Sequence, residues 1–264
     1  MNEQVETNRK LWNELTEAHL KGSEVYPIED FKNGKNILND IEIEEVGNVK
    51  NKKLLHLQCH FGMDTLCWAR LGAKVTGVDM SDNAILAARK LAKEVNIPAT
   101  FIRENVLNFS GKINEKFDIV FASYGALYWI SDIKKWCKVA SSYLNKNGFL
   151  YIVDGHPFYH WLNRDETETD LSKYEYSYFD RTAQKYENAT DYADESFISE
   201  MTEYGWHFTV GDLINASIEA GLNINFFNEF PSFKIKKYGN AWRPIGENVN
   251  FPVMFSMKAT KNEY

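Results

Sequence analysis

Between Lys53 and Asp154 the chain switches repeatedly between two hydrophobic periods. Short apolar runs (LLHLQ, AKVTGVD, ATFIRE, KFDIVFAS and GFLYIVD) are interleaved with segments of helical spacing (DTLCWARLG, DNAILAARKLAKEV and SDIKKWCKVASSYL). Strands of about 5–7 residues alternating with helices of about 9–15 residues predict βαβ units and a parallel sheet with right-handed crossovers. Gly72 stands where the first of these helices must end. Ser81 and Ser131 stand where the next two begin, and Ser81 suits an N-cap.

The flanks have a different texture. Val5, Leu11, Trp12, Leu15 and Leu20 mark an amphipathic helix over residues 3–20, and a second, acidic helix is expected over 37–46. Residues 155–207 lose the βα rhythm and are rich in Tyr, Asp, Glu and Thr, with period-2 fragments such as YEYSYF and SEMTEYGWHF. They read as an insertion of short strands or loops, and DETETD (165–170) as a solvated loop. Regularity returns with a helix in TVGDLINASIEAG and strands in LNINFFNEF and VNFPVMFSMKAT. The last two lie too close together for a helical crossover, so they are expected to close the sheet as an antiparallel pair. The whole predicts an α/β fold, a doubly wound, mostly parallel seven-stranded sheet whose last strand is antiparallel.

Charge and cysteine content remove several function classes. A net charge of −7 and a pI near 5.5 disfavour a protein that grips a phosphate backbone, which needs a basic face. No nucleic-acid partner is expected. Cys59, Cys67 and Cys137 form no CxxC or Cys/His cluster, so neither a metal site nor a disulfide is expected. The polar start and the lack of any apolar run approaching about 18 residues argue against a signal peptide and a membrane span. A cytoplasmic protein is the expectation, with the oligomeric state open.

Ligands of a doubly wound sheet bind beyond the carboxyl ends of its strands. The candidate positions are Gln58–Asp64, Asp79, Glu104–Val106, Ser123–Trp129 and Asp154–Pro157. Asp79, ending the second strand, is placed to accept hydrogen bonds from both ribose hydroxyls of an adenosine. The loop before it narrows the cofactor. A dinucleotide needs GxGxxG so that backbone can approach a pyrophosphate, yet LLHLQCHFGMD keeps only Gly62, and His60 and Phe61 would crowd the anion. S-adenosylmethionine carries no phosphate and tolerates side chains there. A nicotinamide-dependent oxidoreductase is permitted by Asp79 but opposed by this loop. A non-catalytic protein that holds S-adenosylmethionine or S-adenosylhomocysteine remains open.

Taken together, LLHLQCHFGMDT, VTGVDMS, FIRENVLNF, FDIVFASYGALYWISDI and LYIVDGHP resemble the motif series of class I S-adenosylmethionine-dependent methyltransferases. They most resemble a bacterial small-molecule branch with an LHLQCHFGxDT loop, and the likeness extends to NRKLWNE, EYGWHFTVGDLINASIEAGL and PVMFSMKAT. The resemblance implies one methyltransferase domain over 1–264. Within it, 1–47 forms a helical lid segment, 48–155 the cofactor-binding half, 156–207 an inserted substrate lid, and 208–264 the C-terminal helix and closing strands. It further implies that Gly62 and the backbone of Gln58, Cys59, His60 and Phe61 lie against the methionine moiety. Asp79 would bind the ribose, Met80 lie along the adenine, and Asn105 and Val106 meet its edge. Ser123 and Tyr124 would sit near the sulfonium. His56, Gln58 and His60 stand where the wider family has Asp, Gly and Gly, so Gln58 and His60 could instead face substrate.

Methyl transfer from a sulfonium is an in-line displacement, for which a protein aligns the nucleophile, excludes water and takes a proton where needed. As proton acceptors the candidates are His156, His207 and His60, followed by His160 and His19, with Tyr124 as a further catalytic candidate, and His56 is expected in the core. Tyr26, Tyr124, Tyr128, Trp129, Tyr204 and Trp206 are candidates for an aromatic cage around a cation or an apolar acceptor, and His60 is a further candidate for substrate contact. The acceptor is expected to be a small molecule. SYGA (123–126) lacks the Asn/Asp-Pro-Pro-aromatic stretch of DNA amino-methylases, and no cysteine follows Cys137 to serve arsenic methylation.

Overall fold

The computed structural model describes residues 3–162, 176–188, 191–194, 196–231, 234–235, 239–240 and 251–261. Three helices come first: α1 (Glu3–His19), α2 (Ile28–Lys32) and α3 (Asp40–Val46). Then follow β1 (Lys53–Leu57), α4 (Met63–Arg70), β2 (Lys74–Asp79), α5 (Asp82–Glu94), β3 (Thr100–Arg103), β4 (Phe117–Ser123), α6 (Ile133–Tyr143) and β5 (Leu144–Gly155). Short elements come next: α7 (Pro157–Leu162), β6 (Ala183–Tyr186) and β7 (Glu203–Trp206). The chain continues through α8 (Val210–Glu219), β8 (Leu222–Phe230), the two-residue strands β9 (Lys234–Ile235) and β10 (Gly239–Asn240), and β11 (Met254–Lys261).

Seven strands form one sheet in the order β3-β2-β1-β4-β5-β11-β8. The first five are mutually parallel, and β11 runs antiparallel between β5 and β8. This is the expected α/β sheet with the expected antiparallel last strand. Adjacent residues of one strand serve opposite cores. Leu54, Phe121 and Tyr151 pack with α4 and α5 on one face, while Leu55, Val120 and Ile152 pack with α6 and α8 on the other. Burial on both faces explains why the strands are continuously apolar.

The helices start where the chemistry allows. Ser81 Oγ accepts the Ala84 N–H at the head of α5, whose buried residues Ala84, Ile85, Ala88, Leu91 and Ala92 make one stripe. A capping box between Thr209 and Asp212 starts α8. The cap of α6 is Asp132, which accepts the Lys135 N–H, rather than Ser131.

Residues 155–207 depart in part from the expected strands and loops. A helix opens the segment, with Pro157 at its first position, where a missing N–H costs nothing. β6 and β7 then pair antiparallel. DETETD lies outside the described residues. Among the described residues no helix is long and apolar enough to cross a membrane, and no group of three or more His, Cys, Asp or Glu is placed to hold a metal ion.

Candidate active site

The strand order reverses between β1 and β4, and a cavity of about 1060 Å³ opens there, lined by the segments that follow β1, β2, β3 and β4. Its floor is the loop after β1. Gln58, His60 and Gly62 all take positive φ, at 58°, 49° and 80°. This left-handed alternation disfavours side chains by roughly 1–2 kcal/mol per residue, and the two non-glycine members are held by bonds of their own. Gln58 donates to the Ala126 carbonyl and accepts from the Trp136 indole, so its amide ties the loop to the β4 side. The His60 N–H donates to Asp79, and its ring bonds to His19. Gly62 alone cannot be replaced in this way, because a Cβ would lie 2.6 Å from the Phe101 ring.

Asp79 ends β2 at the cavity wall. Its two oxygens each accept one main-chain N–H, from His60 and from Ser81, both at 2.8 Å. Each oxygen keeps a lone pair for a hydroxyl. Burial pushes this carboxyl up to about 6. Asp64, in the first turn of α4, is likewise pushed up to about 6 by burial and takes a long bond from Ser123 Oγ, 3.4 Å. Met80, Asn105 and Val106 line the wall beyond Asp79. Asn105 Oδ1 accepts the Leu107 N–H, which caps a single 3-10 turn and fixes the amide's place.

After β4, Tyr124 sits at φ 41° with its ring on the cavity. Its hydroxyl donates to Glu42 and accepts from Asn39, each at 2.8 Å, and is thus turned toward α3. Glu42 is buried, and burial pushes its carboxyl up to about 8. Behind this loop the buried Asp154 accepts the main-chain N–H groups of Gly125, Leu127 and Gly155.

The structure gathers Gln58, Cys59, His60, Gly62, Asp79, Met80, Asn105, Val106, Ser123, Tyr124, Tyr26 and Trp129 around one cavity. It sets the other candidates apart. His156 is buried away from it, with Nε2 on Glu229 at 2.8 Å and Nδ1 accepting the Phe158 N–H. A ring so committed beside β8 cannot take a substrate proton in this cavity. His207 packs on the Tyr178 ring, and burial pushes it down to about 4. Tyr128 donates its hydroxyl to Glu203, Tyr204 holds Asn8 through its main chain, and Trp206 pairs with Ala183. None of these five lines the cavity. His56 is a core residue, bonded to Thr65 and pushed down to about 3 by burial.

Cavity residues that escaped the sequence reading as site members include Trp12, Asp64 as an individual, Lys35 and Tyr192. Trp12 had the pattern of a core position on α1, and nothing local marks Tyr192. The charge balance of the wall is one-sided. Glu24, Asp40, Asp64, Asp79 and Glu104 face a single Lys or Arg among the described lining residues, Lys35, which is exposed and paired with Asp30 at 2.8 Å.

This sheet order, with a ligand cavity at the β1/β4 reversal, is the class I methyltransferase fold, and residues 55–150 match the family model for a methyltransferase domain. Among curated proteins the chain is similar to a ubiquinone biosynthesis O-methyltransferase of Proteus mirabilis, 30% identical over 129 residues, which is 49% of each chain. The chain thus spans about half the length of the curated relatives it matches. Solved structures similar to it include an S-adenosylmethionine-dependent methyltransferase of Methanosarcina mazei (TM-score 0.58, 20% identity, covering 85% of this chain and 98% of that one). The glycopeptide N-methyltransferase MtfA in complex with S-adenosylmethionine gives a TM-score of 0.56 at 16% identity, covering 86% and 88%. At these identities the structures define the fold.

Proposed function

We propose that this protein is an S-adenosylmethionine-dependent methyltransferase acting on a small-molecule acceptor. The observation that carries this reading is the acid-walled cavity at the sheet reversal, with Asp79 at the end of β2 in its wall and no unpaired Lys or Arg among its described lining residues. A pyrophosphate would meet carboxylates there, whereas a sulfonium and an ammonium meet partners. The volume lies just above the range for small-molecule sites, about 300–1,000 Å³, which leaves room for an acceptor beside a cofactor.

The residues present suit that cofactor. Asp79 would hold the ribose hydroxyls, Met80 and Val106 the adenine faces, and Asn105 its edge. Asp64 and Ser123 would hold the cationic end. Bound S-adenosylmethionine supplies an electrophilic methyl group, which the acceptor takes by in-line displacement. The protein's own work is alignment and exclusion of water. For that we assign residues 1–47 and 156–207 a joint capping role, supported by the way α1 is tied down. Asn8 bonds twice to the Tyr204 main chain, at 2.6 and 2.9 Å, and Ser199 donates to Glu14. On the other flank Asn13 accepts from Ser81 Oγ, and Arg9 pairs with Asp82.

The test is release of S-adenosylhomocysteine from S-adenosylmethionine over a panel of small hydroxyl, amine and thiol acceptors. Acceptor-dependent release is expected. Tight binding of S-adenosylhomocysteine with no turnover on the whole panel would assign the protein a binding role instead.

A further inference from the structure

The cofactor does not use up the negative charge of the cavity wall. Asp79 would meet the ribose and Asp64 the cationic end of S-adenosylmethionine, and Glu104 is committed within the protein. Its Oε1 accepts the Asn105 N–H at 3.0 Å, and its Oε2 pairs with Lys112 at 3.2 Å. Glu24 and Asp40 are left over. Both line the cavity and are exposed, and neither carboxylate has a hydrogen-bond or ion-pair partner among the described residues. They stand on the two lining stretches that bracket α2, residues 24–27 and 35–40. The cavity also carries a continuous aromatic surface. Trp12 meets Trp129 edge to face at 5.1 Å, Tyr26 lies 6.2 Å from Tyr192, and all four line the cavity. His60 joins the two pairs, 5.2 Å from Trp12 and 5.5 Å from Tyr26. The Tyr26 and Tyr192 hydroxyls bond to each other, which leaves their rings for a ligand.

We propose that the methyl acceptor is a basic amine on an apolar body, and that Glu24 and Asp40 select it by its positive charge. The proposal rests on the methyltransferase reading above. An aliphatic amine, with a pKa of about 10, is an ammonium in neutral water, and its methylated product is one too. Carboxylates attract both forms, and so do the faces of aromatic rings. A phenol or thiol reacts as an anion, and nearby carboxylates oppose the loss of its proton. A substrate bearing its own carboxylate or phosphate finds only Lys35, which Asp30 already holds. In the step, the ammonium first gives a proton to water, and the freed nitrogen lone pair forms the new bond to the methyl carbon. The carbon–sulfur bond breaks with its electron pair left on sulfur as a thioether. Positive charge thus passes from sulfur to nitrogen, and the cavity holds the same charge before and after transfer.

The experiment uses the full chain loaded with S-adenosylhomocysteine and titrated with three probes that share one benzylic amine: para-xylylenediamine, benzylamine and 4-(aminomethyl)benzoate. Turnover of the same probes, and of para-cresol, is then followed with S-adenosylmethionine. The expected order of affinity and of kcat/KM is diamine, benzylamine, benzoate, with the first and last about tenfold apart and closer at high salt. Para-cresol is expected to be the slowest. Glu24→Gln combined with Asp40→Asn is expected to raise KM for the diamine about fivefold, mainly without loss of kcat, and to narrow the gap to the benzoate. The ranking in the unmutated protein decides even if the variant fails to fold. Equal affinity for the three amines, preference for the benzoate, and faster methylation of para-cresol than of benzylamine would each overturn the proposal. So would an unchanged KM in the folded variant, and so would S-adenosylhomocysteine binding without binding or turnover of either the diamine or benzylamine. Failure to bind S-adenosylhomocysteine would instead remove the methyltransferase reading itself.

Discussion

The loop after β1 and the proposed cap meet at His60 but are built by different means. In the loop, Gln58 to Gly62 follow one strand, and the principal partner, Asp79, ends the neighbouring strand. In the cap, the joining contacts link residues far apart in sequence: Tyr26 with Tyr192, His19 with Asp191, and Asn8 with Tyr204. The loop therefore carries its geometry in a local pattern of residue types. The cap acquires its geometry only when the fold brings α1 against the insertion.

This contrast can be broken at Gly62. Gly62→Ala places a Cβ against the Phe101 ring and strains a residue at φ 80°. The expected loss is about 2–5 kcal/mol of stability, the sum of left-handed strain and overpacking. It would be read as a lower denaturation midpoint, with partial recovery on adding Phe101→Leu. An unchanged midpoint would mean that the loop is not rigid. Asp79→Ala should weaken S-adenosylhomocysteine binding by roughly 1.5–3 kcal/mol, the scale of hydrogen bonds to a charged group. Full affinity in the folded variant would take Asp79 out of the site.

The cap should respond locally. Asn8→Ala removes both bonds to Tyr204 and should cost about 1–2 kcal/mol, seen as faster amide exchange in β7 while exchange in β1 and β4 stays slow. Slowed β7 exchange or uniform acceleration would contradict the division into two regions. The smallest effect expected is on pH dependence. Burial raises Asp64 and Asp79 to about 6, so the stability this lends the free protein is full below about pH 4 and is lost as pH climbs through 6. A bound sulfonium favours their ionised forms. Affinity for S-adenosylmethionine should therefore rise between about pH 5 and 7, with protons released on binding at the lower end. Affinity flat across that range would mean that neither carboxylate faces the cation.

The same contrast explains what could be read from the chain. The alternation over 53–154, the antiparallel closing pair, Gly62 and Asp79 were legible because each is set by period, turn geometry or position at a strand end. Side-chain direction was not. His156 stands at a strand end and looks like a base, yet Glu229 and the Phe158 N–H occupy its ring. Tyr128, Tyr204 and Trp206 have the composition of an aromatic cage but serve the packing around β6 and β7. Asp191 sits in a polar stretch among many acids, and only burial against His19 sets it apart. The replaced glycines were the most misleading signal. Gln58 and His60 keep the left-handed turns of a glycine loop and hold them with side-chain bonds that periodicity does not reveal.

The central claim is that the loop after β1 is a cofactor loop built for an adenosyl ligand without phosphate. Calorimetric titration of the purified protein with S-adenosylhomocysteine and, separately, with NADH tests it most directly. Micromolar binding of S-adenosylhomocysteine and none of NADH is the predicted result. Binding of NADH alone would contradict the reading of Gly62 and of the acidic wall, and the methyltransferase assignment would fall with it.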